Sequence, residues 1–183
     1  MVDASIRLKS IKVELSHLLL DPNNPRFAKS LNLRTTEPDK NIPAMQQQVE
    51  KLFVNERESE VGSDEDDSEV EEGLVRIGDL VRSMREIGFV PIDNVVVRRL
   101  NGSTSDYVVI KGNRQVRSAK YLYEERPDQS NPEAKRKHEE ILQTLTPLDV
   151  VLLETDGLTL REIKDQIGFL LGQRLIPSTP AKG

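Results

Sequence analysis

Apolar residues fall in well-separated blocks along the chain, and the spacing inside each block predicts an element. Ser10 to Leu15 alternates as a short strand, and Leu18 to Leu20 forms an apolar anchor ahead of Asp21-Pro-Asn-Asn-Pro-Arg-Phe27. Two prolines flanking two asparagines there predict a turn or loop. Ile42 to Arg57 fits a helix with Met45, Val49, Leu52 and Phe53 on one face. Leu74 to Ile87 resumes helical spacing, with Leu74, Ile77, Leu80, Val81, Met84 and Ile87 on one stripe and Gly88 as C-cap. Val90-Pro-Ile92 then leads toward a strand.

Asn94 to Leu100 and Asp106 to Lys111 are β-rich runs around Asn101-Gly-Ser-Thr-Ser105, a hairpin with Asn-Gly turn chemistry. The helix after Gly112 turns Val116, Ala119, Tyr121 or Leu122, and Tyr123 toward a core, and Pro127 ends it. Pro132 to Leu145 reads as a polar surface helix, basic at Lys135, Arg136 and Lys137. Leu148 to Leu153 is a continuous apolar strand, and Thr159 to Leu171 an amphipathic helix with Thr159 as N-cap supported by Glu162. The order predicts a mixed α/β (α+β) domain, a short mixed sheet flanked by helices, with no internal repeat.

At 183 residues the chain is long enough for one domain with a sizeable core. Without Trp, and with few other aromatics, that core must be built from Leu, Ile and Val. The absence of Cys excludes disulfides, thiolate catalysis and Cys-ligated zinc, and makes a reducing cytoplasm the natural setting. His17 and His138 are far apart, so no His-based metal centre is expected. No apolar run reaches the length of a membrane span and no signal-peptide pattern opens the chain, so neither a membrane partner nor export is expected. Charge is unevenly placed. Residues 56–72 hold ten acidic residues and one Arg, a net of −9, whereas the whole chain is −5, so everything else carries +4. This segment, poor in apolar residues, is expected to be a disordered insert.

The chemistry concentrates in Asp106-Tyr-Val-Val-Ile-Lys-Gly-Asn-Arg-Gln-Val-Arg-Ser-Ala-Lys120. A strand, a glycine and a helix start in that order make an anion site. Glycine admits close backbone approach, the first-turn N–H groups lack intrahelical acceptors, and the helix dipole adds positive potential. Arg114 and Arg117 would bring forked guanidinium groups that match phosphate oxygens. The pattern by itself fits a plain turn followed by solvated arginines equally well.

Three separated motifs give the chain a resemblance to the N-terminal domain of the ParB/sulfiredoxin superfamily, over Ile11 to Pro177. Asp21-Pro-Asn-Asn-Pro-Arg26 is similar to that family's Asn-Pro-x-x-Pro-Arg loop. Ile77 to Pro91 resembles its helix ending in a glycine before a hydrophobic pair and a proline. Lys111-Gly-Asn-Arg-Gln-Val-Arg-Ser-Ala-Lys120 resembles its Gly-Glu-Arg-Arg-x-Arg-Ala box. The resemblance implies a ParB/sulfiredoxin-like domain over 1–177 and a tail, 178–183, leading into a further C-terminal region. It also implies a nucleoside triphosphate, CTP or ATP, bound with Mg²⁺. The Gly112 and Asn113 amides, Arg114 and Gln115 would hold phosphates with Arg117 as buttress, while Arg26, Asn23 and Asn24 would close the other side and Arg174 would add a later contact. Lys111 and Lys120 would border the site. No catalytic residue and no protein metal ligand is assigned.

Two departures bear on this site. Asn113 replaces the usual Glu, and Gln115 replaces the second Arg, removing one charge and one forked donor. Sulfiredoxin chemistry needs a Cys that the chain lacks. Three functions follow as expectations. The first is a nucleotide-binding switch of a larger DNA-acting protein, with homodimerisation and slow hydrolysis as further expectations. The second is a nuclease using the same cradle for DNA phosphate, with Asp21 the nearest acidic residue. The third is a non-catalytic interaction module with a degenerate site. The acidic insert is either a mask over the basic site or simply a solvated insertion.

Overall fold

The computed structural model describes residues 7–55 and 74–154, together with positions 158, 162, 165 and 168. Five strands form one mixed sheet: β1 (Arg7–Val13), β2 (Leu18–Leu20), β5 (Val96–Arg99), β6 (Tyr107–Lys111) and β7 (Leu148–Glu154), in the order β1-β7-β5-β6-β2. β7 pairs antiparallel with β1 and parallel with β5. β5 and β6 form the expected antiparallel hairpin, and β6 runs parallel to β2. β3 (Phe53–Val54) and β4 (Val75–Arg76) make a separate parallel pair. The helices are α1 (Pro25–Ala28), α2 (Gln46–Glu50), α3 (Gly78–Ile87), α4 (Asn113–Glu124) and α5 (Pro132–Leu145). The mixed α/β architecture inferred from the hydrophobic pattern is therefore the one observed.

The period-two alternation of the strands sends Val13, Val97, Val109, Leu148, Val150 and Leu152 to one face of the sheet. Val81 and Met84 of α3, Val116, Ala119 and Leu122 of α4, and Ile141 and Leu145 of α5 pack into the same core. Each of the Val, Leu, Ile and Met side chains contributes roughly 1.5–3 kcal/mol by leaving water. On the opposite face, Val96, Ile110 and Leu153 form a smaller buried cluster, and Val108 joins Leu19, Ile42 and Leu100 in another.

Several local expectations are corrected. The first strand starts earlier, at Arg7, because pairing with β7 extends to Glu154. Pro25–Ala28 is a helical turn rather than loop, since Pro at the first position has the right φ and Asn24 caps it by accepting from the Arg26 N–H at 3.0 Å. The helix predicted over 42–57 breaks into a 3-10 turn at Pro43–Met45, the short α2, and then β3, with a further 3-10 turn at Asp39–Asn41 just ahead of it. Phe53 leaves the helical path to pair with Val75 and to set its ring edge-on to Phe27, with centroids 5.2 Å apart. Because Val75 and Arg76 are taken up by that pairing, Leu74 to Ile77 precede α3 instead of belonging to it; Ile87, expected on the apolar stripe, is the last residue of α3 and is 67% exposed. Strand β5 spans only Val96–Arg99 of the predicted 94–100. In α4, Leu122 is buried while Tyr123 points outward, and the helix ends at Glu124 before Pro127 is reached. Gly88 does end α3, at φ +78°, and its neighbour Phe89 donates its N–H to Thr144 Oγ1 on α5.

Insert 56–72, tail 178–183 and most of the helix predicted over 159–171 lie outside the described residues; Glu162, Asp165 and Gly168 are helical and exposed. Among the described residues no helix is long and apolar enough to cross a membrane.

Candidate anion-binding cleft

Strand β6 ends at Lys111, and the chain turns into α4 through Gly112, whose φ of +97° lies in the left-handed region. A β-carbon built there would stand 2.7 Å from Gln115 Oε1, 3.0 Å from Val95 Cγ2 and 3.3 Å from Val95 Cα. Conformation and space therefore both require glycine. Gly112→Ala is expected to cost about 1–3 kcal/mol, measured by urea denaturation; a loss below about 0.5 kcal/mol would show that the turn relaxes freely.

The first turn of α4 presents Asn113, Arg114 and Gln115. Asn113 is only 5% exposed. Its Oδ1 accepts the backbone N–H of Asp21 at 3.2 Å and its Nδ2 donates to the Val109 carbonyl at 3.1 Å. The side chain thus ties the loop after β2 to the end of β6. A carboxylate could not donate to Val109, which accounts physically for an amide at this position. Gln115 donates to the Asp93 carbonyl at 3.3 Å and so tethers the chain segment entering β5.

Loop 21–26 forms the facing wall. Asn23 is wholly occupied in shaping it, donating to the Glu37 carbonyl at 3.0 Å and accepting the Glu37 N–H at 2.7 Å. Asp21 Oδ1 accepts the Asn23 N–H. Burial pushes the Asp21 carboxyl above the ordinary carboxylate range, against the lowering effects of that bond and of Arg98. Asn24, Pro25, Arg26 and Phe27 from this wall meet Lys111 to Gln115 across a cleft of about 590 Å³, with Ile110, Leu80 and Asp93 completing its lining. An adjoining hollow of about 450 Å³ is bordered by Arg26, Arg114 and residues 74–76. Arg114 is exposed, and its Nε donates to the Arg76 carbonyl at 2.9 Å, which orients the guanidinium at the junction of the two spaces.

Of the residues singled out in the sequence, the cleft brings together Asn24, Arg26, Gly112, Asn113, Arg114 and Gln115, with Lys111 beside them. Asn23 is behind the wall. Arg117 does not line the cleft: its guanidinium lies over the Tyr121 ring at 5.9 Å and reaches Glu124 at 3.3 Å. Lys120, seven residues along α4 and so about 10 Å farther up its axis, lines a separate small pocket with Glu14, Tyr123 and Glu124. Burial lowers its pKa, with Glu50 and Glu124 opposing. Arg174 is outside the described residues. Sequence reasoning did not select Leu80, which had been assigned to a core stripe, nor Asp93 and the Arg76 carbonyl. Only tertiary contacts single these out, since no motif surrounds them.

Fold and cleft together define a mixed α/β domain with a cationic cleft between a strand-glycine-helix turn and a proline-rich loop. No protein-family model matches the chain, and no curated protein matches it. Among solved structures it is similar to the C-terminally truncated chromosome-partitioning protein ParB from Caulobacter crescentus complexed with CTP-γ-S. The identity is 15% and the TM-score 0.38, covering 92% of this chain and 55% of that one. The chain thus spans about half the length of that protein. The superposition is loose, and the cleft stands on its own residues.

Proposed function

We propose that the cleft binds the phosphate chain of a nucleoside triphosphate, CTP or ATP, and that the chain is a ParB-like nucleotide-binding switch module of a DNA-acting protein. The observation that carries this reading is the convergence of Arg26 and Arg114, from two distant stretches of sequence, on one cleft headed by the Gly112 turn. Arg26, Lys111 and Arg114 supply charge, and the first-turn amides of α4 supply directed donors. The three motifs that resemble the ParB/sulfiredoxin superfamily each contribute to this lining: Asn24, Pro25 and Arg26 from loop 21–26, Leu80 of α3, and the turn at 111–115.

A ligand that grips both walls favours whichever arrangement of loop 21–26 and α4 lets both arginines reach it. A switch requires such differential binding between two conformations. The chemistry in hand is binding and positioning: among the described lining residues Asp93 is the one carboxylate, so no general base is assigned. The Mg²⁺ implied by the resemblance is poorly matched by this donor set, because the box position is an amide already bonded on both sides. The nuclease reading loses its candidate acid, since Asp21 is not among the lining residues and its carboxylate caps the loop.

Calorimetric titration of CTP, ATP and GTP tests the proposal. Arg114→Ala and Arg26→Ala are each expected to weaken binding by about 10- to 100-fold, the worth of a lost charge-assisted hydrogen bond, with unchanged circular dichroism. Failure of the wild type to bind any of the three, or equal binding by the variants, would refute it.

A further inference from the structure

We infer that the cleft takes its polyphosphate ligand as the metal-free anion, with three side-chain cations standing where other sites place a divalent ion. This rests on the nucleotide-binding reading above. A Mg²⁺ ion at a phosphate site is normally held by one or two protein carboxylates in addition to phosphate oxygens and water. Here the residue at the head of the helix cannot serve. Asn113 is buried, and both ends of its amide are committed to the protein, to the Asp21 N–H and the Val109 carbonyl. Turning it toward a metal would strip two bonds that hold the cleft walls together. The Asp21 carboxylate is engaged with the Asn23 N–H outside the lining.

Among the described residues that leaves Asp93 as the one carboxylate sharing the lining with Arg26, Lys111 and Arg114. Among the described residues no group of three or more His, Cys, Asp or Glu is gathered in a way that could hold a metal ion. The cations already perform the neutralisation that a metal would supply, and at close range they repel a further dication. A metal on the phosphates would also occupy oxygens that the Arg26 and Arg114 guanidinium groups can otherwise take in pairs.

The test is calorimetry on the full chain with CTP, ATP and inorganic tripolyphosphate, in EDTA and again in excess Mg²⁺. Affinity in EDTA is expected to equal or exceed that in Mg²⁺, by up to about tenfold. Tripolyphosphate should compete with the nucleotide in EDTA. Asp93→Asn, which removes the carboxylate that repels the phosphates, should bind more tightly than wild type in both buffers. Tightening of about tenfold or more by Mg²⁺ would overturn the inference and leave nucleotide binding standing. So would a loss of affinity in Asp93→Asn confined to the Mg²⁺ buffer, or a failure of tripolyphosphate to compete. Absence of binding in both buffers would remove the inference and the proposed function together.

Discussion

Asn113→Asp is expected to lower the stability of the domain by about 2–4 kcal/mol at neutral pH, the range for an uncompensated buried charge facing an acceptor. The side chains are nearly isosteric, so packing is unchanged. What changes is one atom: the Nδ2 donor 3.1 Å from the Val109 carbonyl becomes a second oxygen, while the bond from the Asp21 N–H can persist. Burial and the facing carbonyl both favour the neutral acid, so the new group's folded pKa is raised above its unfolded value of about 4. A group shifted in that direction loses its favourable contribution as pH rises through the folded pKa, and regains it below the unfolded pKa. The protonated acid can again donate to Val109. Urea denaturation at pH 7 and near pH 4 should therefore show the gap between wild type and variant shrinking with acid. A gap independent of pH would mean that Asn113 acts through shape alone. Asn113→Ala, which has no group to titrate, supplies the pH-independent reference.

Arg98→Ala should cost a comparable amount, about 2–4 kcal/mol, for a different reason. Arg98 and Asp39 have side chains only 12% and 14% exposed and are joined by two bonds, of 2.7 and 2.8 Å. Asp39 also accepts the Asn101 N–H at 2.8 Å. The pair pins the 3-10 turn at Asp39–Asn41 to β5 and to the hairpin turn. Removing the guanidinium leaves a largely buried carboxylate with one donor. Burial alone would raise the Asp39 pKa, but the Arg98 and Asn101 bonds outweigh it and hold the carboxyl below its ordinary value of 3.8. A group shifted downward contributes stability above that value and loses it as pH falls through the folded pKa. The difference between wild type and Arg98→Ala should therefore narrow on acidification below about pH 4. The double variant Arg98→Ala/Asp39→Ala should recover part of the loss, since it removes the stranded charge. A double variant whose loss equals the sum of the single changes would show that the two side chains are not acting as a pair.

The two variants mark how much of this protein was legible in its sequence. The β5–β6 hairpin was legible because Asn-Gly chemistry and alternating residues act over a few neighbours. Helix α5 was legible to the residue because Asn131 and Pro132 form a local start signal, with the Asn131 side chain accepting the Glu133 and Ala134 N–H groups. Helix 42–57 was misread because Phe53 satisfies a helical stripe and a strand equally well. Its pairing with Val75 and its contact with Phe27 are long-range, and they decide the matter. In the cleft, the glycine turn and Arg114 were legible from the strand-glycine-helix order. Asp93 and Leu80 were not, since neither carries a local signature.

By itself, then, the chain's pattern of apolar residues determined a mixed α/β domain and a strand-glycine-helix turn, because periodicity and glycine's conformational freedom are local properties. Which arginines meet there was decided by the tertiary structure. Arg26 and Arg114 share the cleft, whereas Arg117, three residues beyond Arg114 on the same helix, is drawn to Tyr121 and Glu124. The tertiary structure also decided that Asn113 braces the cleft walls, because a side chain's role depends on which donors and acceptors the folded chain brings within hydrogen-bond distance of it.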